Sequence, residues 1–231
     1  MNEVLRQEKK YLINIMDVGR MSGFLEKVMS KNEHNGYEGY AVRSLYFDTI
    51  DNMDFWDKIN GIEKRRKMRL RIYGSESQYA MFEMKQKEGM YQKKRSLKVS
   101  REDAEALSNG DYYPLLKYSD PFAAECYGLL NSFCYKPKAI VEYKRKAYIA
   151  KENHIRVTLD FNIMATEACY DIFSTNLKMY PALDRFNAVM EVKYNGFLLS
   201  YIKDLLNSVN KSETSVSKYC LARGACLKYY L

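Results

Sequence analysis

Residues 67–73 read KMRLRIY and carry the pattern from which the fold is inferred. Three cations alternate here with three apolar residues: Lys67, Arg69 and Arg71 against Met68, Leu70 and Ile72. Successive side chains of a strand point to opposite faces of its sheet, so the pattern predicts a strand with one charged and one apolar face. The charged face either meets water, as is common in antiparallel sheets, or binds a polyanion.

The same alternation recurs in other stretches of the chain. Seven predicted strands each place charged or polar residues on one face: Arg6, Glu8 and Lys10; Lys67, Arg69 and Arg71; Glu83, Lys85 and Lys87; Lys93 and Arg95; Tyr143 and Arg145; Arg156, Thr158 and Asp160; Glu191 and Lys193. Most of the opposite faces are apolar. If helices cover the apolar faces, closing the sheet turns the charged faces inward and removes the sheet edges. We therefore expect an α+β fold, an antiparallel eight-stranded β-barrel with helices packed on the outside, in a single domain over residues 1–231.

Hydrophobic periodicity places the helices between these strands. Helices are predicted over residues 17–30, 51–61, 102–109, 121–132 and 197–209, and from about Lys218 onward. Asp17 is the expected N-cap of the first of them. Hairpins are expected between residues 63–74 and 79–89, and around the KEN turn at residues 151–153.

Composition bounds the partners. The chain of 231 residues has 37 Lys plus Arg against 29 Asp plus Glu, a net charge of +8. This excess indicates a polyanionic partner such as nucleic acid, a phosphate-rich ligand or an acidic membrane surface. The 21 tyrosines are better explained by packing than by base stacking, so no nucleic acid is expected. The sequence has no P-loop motif and no zinc-ligand spacing.

Cysteine usage and hydropathy bear on location. Five cysteines without a C-x-x-C pair are typical of reduced thiols, which favours a cytoplasmic protein. No apolar run approaches the roughly 20 residues that a transmembrane helix needs. A membrane partner protein and the oligomeric state stay open.

Short motifs on the charged strands carry a family resemblance. EKKYLI, at residues 8–13, resembles the opening E-x-K element of the triphosphate tunnel metalloenzymes, the CYTH-like superfamily. The motifs that follow resemble its VTC (vacuolar transporter chaperone) branch, the polyphosphate polymerase domain, over nearly the whole chain and in the same order: SLYFDT, KMRLRIYG, FEMKQKEG, QKKRS, VEYKRKAY, IRVTLDFNI, VMEVKYNG and SVSKYCLA. The resemblance implies a basic tunnel in which the γ-phosphoryl group of ATP passes to a growing inorganic polyphosphate chain, assisted by a divalent metal (Mn²⁺ or Mg²⁺).

The resemblance also implies roles for individual residues. The implied catalytic residues are Arg69, Arg71, Arg145 and Lys218. The implied substrate-binding residues are Lys10, Lys85, Lys93, Arg95, Tyr143, Arg156 and Ser217. Glu191 and Glu8 are the implied metal ligands, with Glu83 and Asp160 as further candidates for metal binding or for ion pairs.

Three other functions stay open at this point. The same fold could hydrolyse tripolyphosphate or nucleoside triphosphates, or bind polyphosphate without catalysis; nucleic-acid binding draws on charge and tyrosines alone. The Tyr143–Arg145 and Ser217–Lys218 elements favour the polymerase over the hydrolase. Glu191 favours catalysis over simple binding.

Overall fold

The computed structural model describes residues 6–89 and 91–229. These ranges contain six α-helices: α1 (Ile15–Val28), α2 (Met53–Ile59), α3 (Arg101–Ser108), α4 (Pro121–Ser132), α5 (Ser200–Asn207) and α6 (Lys218–Tyr229). They contain eight strands of eight or more residues: β1 (Arg6–Asn14), β3 (Tyr40–Asp48), β4 (Arg65–Ile72), β5 (Tyr79–Glu88), β6 (Tyr91–Ser100), β7 (Lys136–Ile149), β8 (Arg156–Thr166) and β10 (Asn187–Asn195). Three shorter strands complete the set: β2 (Ser30–Lys31), β9 (Tyr180–Pro181) and β11 (Lys211–Glu213).

The chain divides into two compact units, each built from three separate segments. The first unit comprises Met1–Ala41, Tyr143–Ile163 and Pro181–Ser217, and the second comprises Val42–Glu142, Met164–Tyr180 and Lys218–Leu231. Strands β3 and β7 each contribute residues to both units. The single-domain organisation stays a prediction.

The sheet order follows the two units. In the first unit the order is β11-β1-β10-β8-β7, and in the second it is β7-β3-β4-β5-β6. The β1–β10, β10–β8, β3–β4, β4–β5 and β5–β6 pairings are all antiparallel. The predicted α+β class with a large antiparallel sheet is confirmed, as are its eight long strands. Within the described ranges the order ends at β11 and β6, so no continuous ring of hydrogen bonds closes a barrel.

The apolar faces of the strands form one core in each unit. In the second unit Met68 and Leu70 are 0% exposed and Ile72 is 1% exposed, which confirms the apolar half of the KMRLRIY alternation. Helices α3 and α4 and strands β3 and β5 pack on these residues with Leu107, Leu130, Phe47, Phe82 and Met84. In the first unit α1 and α5 cover the apolar faces of β1, β8 and β10, with Met21, Leu25, Ile202, Ile13, Leu159, Met190 and Val192 in the core.

Helix boundaries match the sequence closely, with one correction. Helices α3 and α4 lie within one residue of their predicted starts, and α6 begins at Lys218 as expected. The expected N-cap Asp17 is wrong, because α1 begins two residues earlier, at Ile15. The Asn14 side chain accepts a hydrogen bond from the Met16 N–H at 2.9 Å and caps the helix. Asp17 instead lies in the first turn, where its charge complements the helix dipole.

None of the helices in the described ranges is both long and apolar enough to cross a bilayer. The cytoplasmic location stays a prediction.

Candidate functional site

Cations dominate one face of β4, β5 and β6 in the second unit. Across β4 and β5 the register pairs Arg65 with Lys87, Lys67 with Lys85, Arg69 with Glu83, and Arg71 with Met81. Across β5 and β6 it pairs Lys87 with Gln92, Lys85 with Lys94, Glu83 with Ser96, and Met81 with Lys98. Paired residues share a face, so on these three strands eight cations share a face with one carboxylate, Glu83. We call these eight residues the cationic face: Arg65, Lys67, Arg69, Arg71, Lys85, Lys87, Lys94 and Lys98.

Glu83 is the anionic centre of the cationic face. Arg69 Nε and Nη2 lie 2.7 and 2.6 Å from Glu83 Oε2. Lys94 contacts Glu83 Oε1, and Arg71 Nη1 lies 3.8 Å from Oε2. Burial acts to raise the pKa of Glu83, but Arg69, Arg71 and Lys94 outweigh burial and hold this pKa at about 2. The carboxylate therefore stays ionised and fixes the directions of its cationic neighbours.

Strand β3 adds hydroxyl groups beside the two arginines. Tyr46 lies opposite Arg69, and its hydroxyl accepts a hydrogen bond from Arg69 Nη1 at 3.1 Å. Ser44 lies opposite Arg71, and its Oγ accepts from Arg71 Nε at 3.4 Å. Burial acts to raise the pKa of Tyr46, but Arg69, Arg71 and Lys218 together lower it below its ordinary value. The positive charges of Arg69, Arg71 and Lys218, all three predicted site residues, thus act on the Tyr46 hydroxyl.

Tyr219, in the first turn of helix α6, packs against Tyr46 of β3. The Tyr219 ring stacks on Tyr46 with ring centroids 5.2 Å apart. Its hydroxyl donates to Asp48 Oδ2 at 2.6 Å, and Asp48 is fully buried. Lys67 Nζ lies 5.9 Å from the centre of the same ring. The stacked pair therefore positions the start of α6, including Lys218, within the second unit.

The structure corrects the placement of Lys93 and Arg95. Lys93 lies opposite Gln86 and Arg95 opposite Met84, on the face that carries the apolar core. The two Nη atoms of Arg95 donate to the two oxygens of Glu125 on α4 at 2.5 and 2.6 Å. The expectation that Lys93 and Arg95 lie on the charged face of the sheet is wrong, because a one-residue change of register exchanges the faces of a strand. On β6 the cationic face instead carries Lys94, opposite Lys85, and Lys98, opposite Met81.

The first unit has a charged face of different composition. Across β1 and β10 the register pairs Glu8 with Lys193 and Lys10 with Glu191. Across β10 and β8 it pairs Lys193 with Arg156 and Glu191 with Thr158. With the neighbouring residues of β7 and β8, this surface is called the mixed face: Glu8, Lys10, Tyr143, Arg145, Arg156, Thr158, Asp160, Glu191 and Lys193. Its three carboxylates nearly balance its four cations.

Arg145 is held firmly within the mixed face. Its Nε and Nη2 lie 2.6 and 2.8 Å from the two oxygens of the buried Asp160. Its guanidinium carbon lies 5.2 Å from the Tyr143 ring centre. Burial acts to lower the pKa of Arg145, but the Asp160 carboxylate outweighs burial and raises this pKa well above its ordinary value. Asp160 is thus an ion-pair partner, one of the two roles expected for it.

Lys10 and Arg156 also lie on the mixed face, as expected. Lys10 Nζ lies 3.2 Å from Glu8 Oε1 and donates to the Val216 carbonyl at 3.2 Å, next to Ser217. Arg156 Nε is buried and has no hydrogen-bond partner within the described residues. An unpaired buried donor on a charged surface is suited to an anionic ligand.

The expected metal ligands Glu8 and Glu191 are brought close to one side chain. Glu191 Oε1 lies 2.5 Å and Glu8 Oε2 lies 3.7 Å from Lys193 Nζ. Within residues 6–89 and 91–229 no three His, Cys, Asp or Glu side chains gather as a metal cage. Hard cations such as Mg²⁺ are commonly held by one or two carboxylates plus substrate phosphates, so this oxygen pair fits a metal bound together with phosphate.

Sequence reasoning missed several residues that lie beside the cationic face. Ser44, Tyr46 and Asp48 alternate within SLYFDT, and this alternation was a usable signal for their common face. Tyr219 gave no such signal, because its role depends on a stacking partner far away in the chain.

The VTC domain family model matches residues 5–227. The chain belongs to the VTC domain family. This VTC domain also resembles the crystal structure of a proposed adenylate cyclase from Bacillus halodurans, with 13% identity, a TM-score of 0.53, and coverage of 93% of this chain and 94% of that one. A protein from Pyrococcus horikoshii matches with 10% identity, a TM-score of 0.44, and coverage of 93% and 97%. No curated protein sequence matches the chain. At 13% identity the first likeness shows a shared fold, and the family match covers almost the whole VTC domain.

Proposed function

We propose that this VTC domain is a metal-dependent polyphosphate polymerase, which transfers the γ-phosphoryl group of ATP to the end of an inorganic polyphosphate chain. Membership of the VTC domain family supports a triphosphate- or polyphosphate-related function. The observation that carries the proposal is the cationic face, where eight Lys and Arg residues of β4, β5 and β6 share a face with a single carboxylate. A chain of phosphates matches such a surface, because every phosphate offers oxygens to ammonium and guanidinium groups.

Arg69 and Arg71 are the proposed catalytic residues of the cationic face. Phosphoryl transfer needs alignment of the reacting groups and neutralisation of the transferred charge more than it needs covalent chemistry. Glu83 holds Arg69 in place before any substrate arrives. A cation that is already positioned stabilises the transition state without reorganisation at the moment of reaction. Lys218 and Lys85 are proposed to bind the neighbouring phosphates.

The mixed face is proposed to bind phosphate and metal. Lys10, Arg156, Tyr143 and Ser217 are the proposed phosphate contacts there, and Asp160 orients Arg145 for the same task. Glu191 and Glu8 would hold Mn²⁺ or Mg²⁺. Such an ion, when bound, would withdraw charge from the phosphate oxygens. No side-chain base is required, because the acceptor phosphate is already an anion.

One incubation separates the candidate functions. The protein is mixed with ATP and Mn²⁺, and the products are resolved on a gel stained for polyphosphate while free phosphate is assayed in parallel. A ladder of long chains supports the polymerase. Free phosphate without a ladder indicates a hydrolase, and tight polyphosphate binding without either product indicates a binding module. Either of these last two results overturns the proposal.

A further inference from the structure

Lys193 lies between the two glutamates that are the proposed metal ligands. Its Nζ is 2.5 Å from Glu191 Oε1 and 3.7 Å from Glu8 Oε2. The side chains are mostly shielded from water, with exposed fractions of 23% for Lys193, 9% for Glu191 and 17% for Glu8. Ion pairs shielded in this way are screened less by salt than exposed ones.

A divalent cation at the glutamate pair would compete with the Lys193 ammonium for Glu191 Oε1 and Glu8 Oε2, and with Lys10 for Glu8 Oε1. Two positive charges cannot occupy the same small space, because their mutual repulsion grows as the distance shrinks. Metal binding and the Lys193 contacts therefore oppose each other. By linkage, the free energy that binds Lys193 to the pair is subtracted from the free energy of metal binding.

Release of Lys193 from the two glutamates would make the mixed face more attractive to anions. Lys193 lies directly opposite Arg156 on β8, and like charges in this position repel each other. While Lys193 contacts the glutamates, their negative charge offsets this repulsion. Once a metal takes the carboxylates, Lys193 and Arg156 form a cation pair that a phosphate would bridge. Metal and phosphate would then favour each other's binding.

We propose that Lys193 is a resident cation of the Glu8–Glu191 pair, which a divalent metal must displace in order to bind there. This inference rests on the proposed function in taking the two glutamates as the metal ligands. Metal binding is then weak in the absence of phosphate. When metal and phosphate are both present, the Lys193 ammonium leaves the carboxylate oxygens and contacts a phosphate oxygen.

Mn²⁺ binding to the full chain without nucleotide, followed by electron paramagnetic resonance, tests the inference. The variants are Lys193→Met and, as a matched control, Lys203→Met on the exposed surface of α5 in the same unit. We expect Lys193→Met to bind Mn²⁺ about tenfold more tightly than the wild type, equivalent to about 1.4 kcal/mol. Lys203→Met should bind like the wild type, and adding Glu191→Gln to Lys193→Met should remove the gain. Equal or weaker binding by Lys193→Met overturns the inference.

A measurement on the wild type keeps the test valid if Lys193→Met does not fold. Lysine acetylation is followed by mass spectrometry with and without saturating Mn²⁺. Displacement by the metal should accelerate acetylation of Lys193 at least about fivefold, the lower end of typical coupling between sites, and should leave Lys203 unchanged. No acceleration at Lys193 overturns the inference.

These outcomes are separate from those of the polymerase test, because neither measurement uses ATP. Polyphosphate ladders together with unchanged Mn²⁺ affinity in Lys193→Met would remove only the resident-cation inference. Tighter Mn²⁺ binding without ladders would remove only the polymerase proposal.

Discussion

Glu83 on β5 lies directly opposite Arg69 on β4, and its Oε2 accepts a hydrogen bond from Arg69 Nε at 2.7 Å. Arg71 and Lys94 share the same carboxylate. One buried anion thus holds together three cations that would otherwise repel each other. The Glu83 carboxylate lowers the repulsion among these cations in the absence of ligand, and the cationic face still carries a large excess of positive charge.

Glu83→Gln should lower the free energy of unfolding by about 3 kcal/mol, the lower end of the range for breaking a buried ion pair. Because a polyanion can replace the lost negative charge, added tripolyphosphate should raise the melting temperature more in the variant than in the wild type. Urea unfolding and thermal melts measure both effects. Glu102→Gln, on the exposed side of the first turn of α3, is the control; it should lower the free energy of unfolding by less than about 1 kcal/mol and leave the effect of tripolyphosphate unchanged. Equal stabilisation by tripolyphosphate in wild type and Glu83→Gln would count against this role of Glu83.

Lys93 and Lys94 are adjacent on β6 but lie on opposite faces, so substituting each of them compares the two faces directly. Lys94→Met should weaken tripolyphosphate binding about tenfold, because a charge-assisted phosphate contact contributes roughly 1.5 to 3 kcal/mol. Lys93→Met should leave the affinity within about twofold, because surface charges away from the ligand contribute little. Isothermal titration at constant salt measures both. A larger loss with Lys93→Met than with Lys94→Met would mean that the register of β5 and β6 differs from the one described.

Arg69→Met should reduce polyphosphate synthesis by about 100-fold or more, the usual cost of removing one preorganised donor from a transition state. The rate of ladder formation measures the loss, and circular dichroism checks that the variant is folded. Arg20→Met, on the exposed surface of α1, is the control and should keep full activity. Wild-type rates from a folded Arg69→Met protein would remove Arg69 from the mechanism.

Ionisation of Asp54 makes the free energy of unfolding depend on pH. Its Oδ1 accepts a hydrogen bond from the Tyr135 hydroxyl at 2.9 Å, while its buried Oδ2 has no partner within the described residues. Burial and, secondly, the nearby Asp48 raise the pKa of Asp54 to about 7. A raised pKa means that the stabilising contribution is present below about pH 4 and is lost as the pH rises through 7.

Asp54→Asn keeps an acceptor for Tyr135 and cannot ionise. Relative to the wild type, it should gain stability as the pH rises from 4 to 8, by up to about 4 kcal/mol. Urea unfolding at several pH values measures the difference, and the exposed Asp51→Asn should track the wild type. A difference between Asp54→Asn and wild type that does not change with pH would show that Asp54 does not titrate in this range.

Strand alternation predicts which of the predicted site residues share a face, because it is a local property. Arg69, Arg71 and Lys85 share a face since they sit at alternate positions of paired strands, and the buried Met68, Leu70 and Ile72 fix which face that is. Lys93 and Arg95 were misplaced because the phase of β6 depends on the turn between β5 and β6. Nothing in the KKR triplet itself distinguishes Lys93 from Lys94.

Contacts between residues far apart in the chain cannot be predicted from local sequence patterns. Tyr46 and Tyr219 stack across 173 positions, and Lys193 reaches Glu8 across 185 positions. Local patterns place each residue on its element but carry no information about which elements meet. The sequence leaves two roles open for Asp160, because a carboxylate on the charged face of a strand suits a metal and a guanidinium equally well. The structure shows the ion pair with Arg145.

The Tyr219–Tyr46 stack has a consequence for synthesis on the ribosome. Strand β3 emerges early, yet the aromatic partner that brings Lys218 to it belongs to the last described helix. A nascent chain that still lacks α6 carries the arginines of β4 without that partner. Such a chain would have to wait for a contact of very high sequence separation, which is slow to form. Ribosome stalling before residue 218 should therefore leave the second unit without the Tyr46–Tyr219 stack until translation resumes.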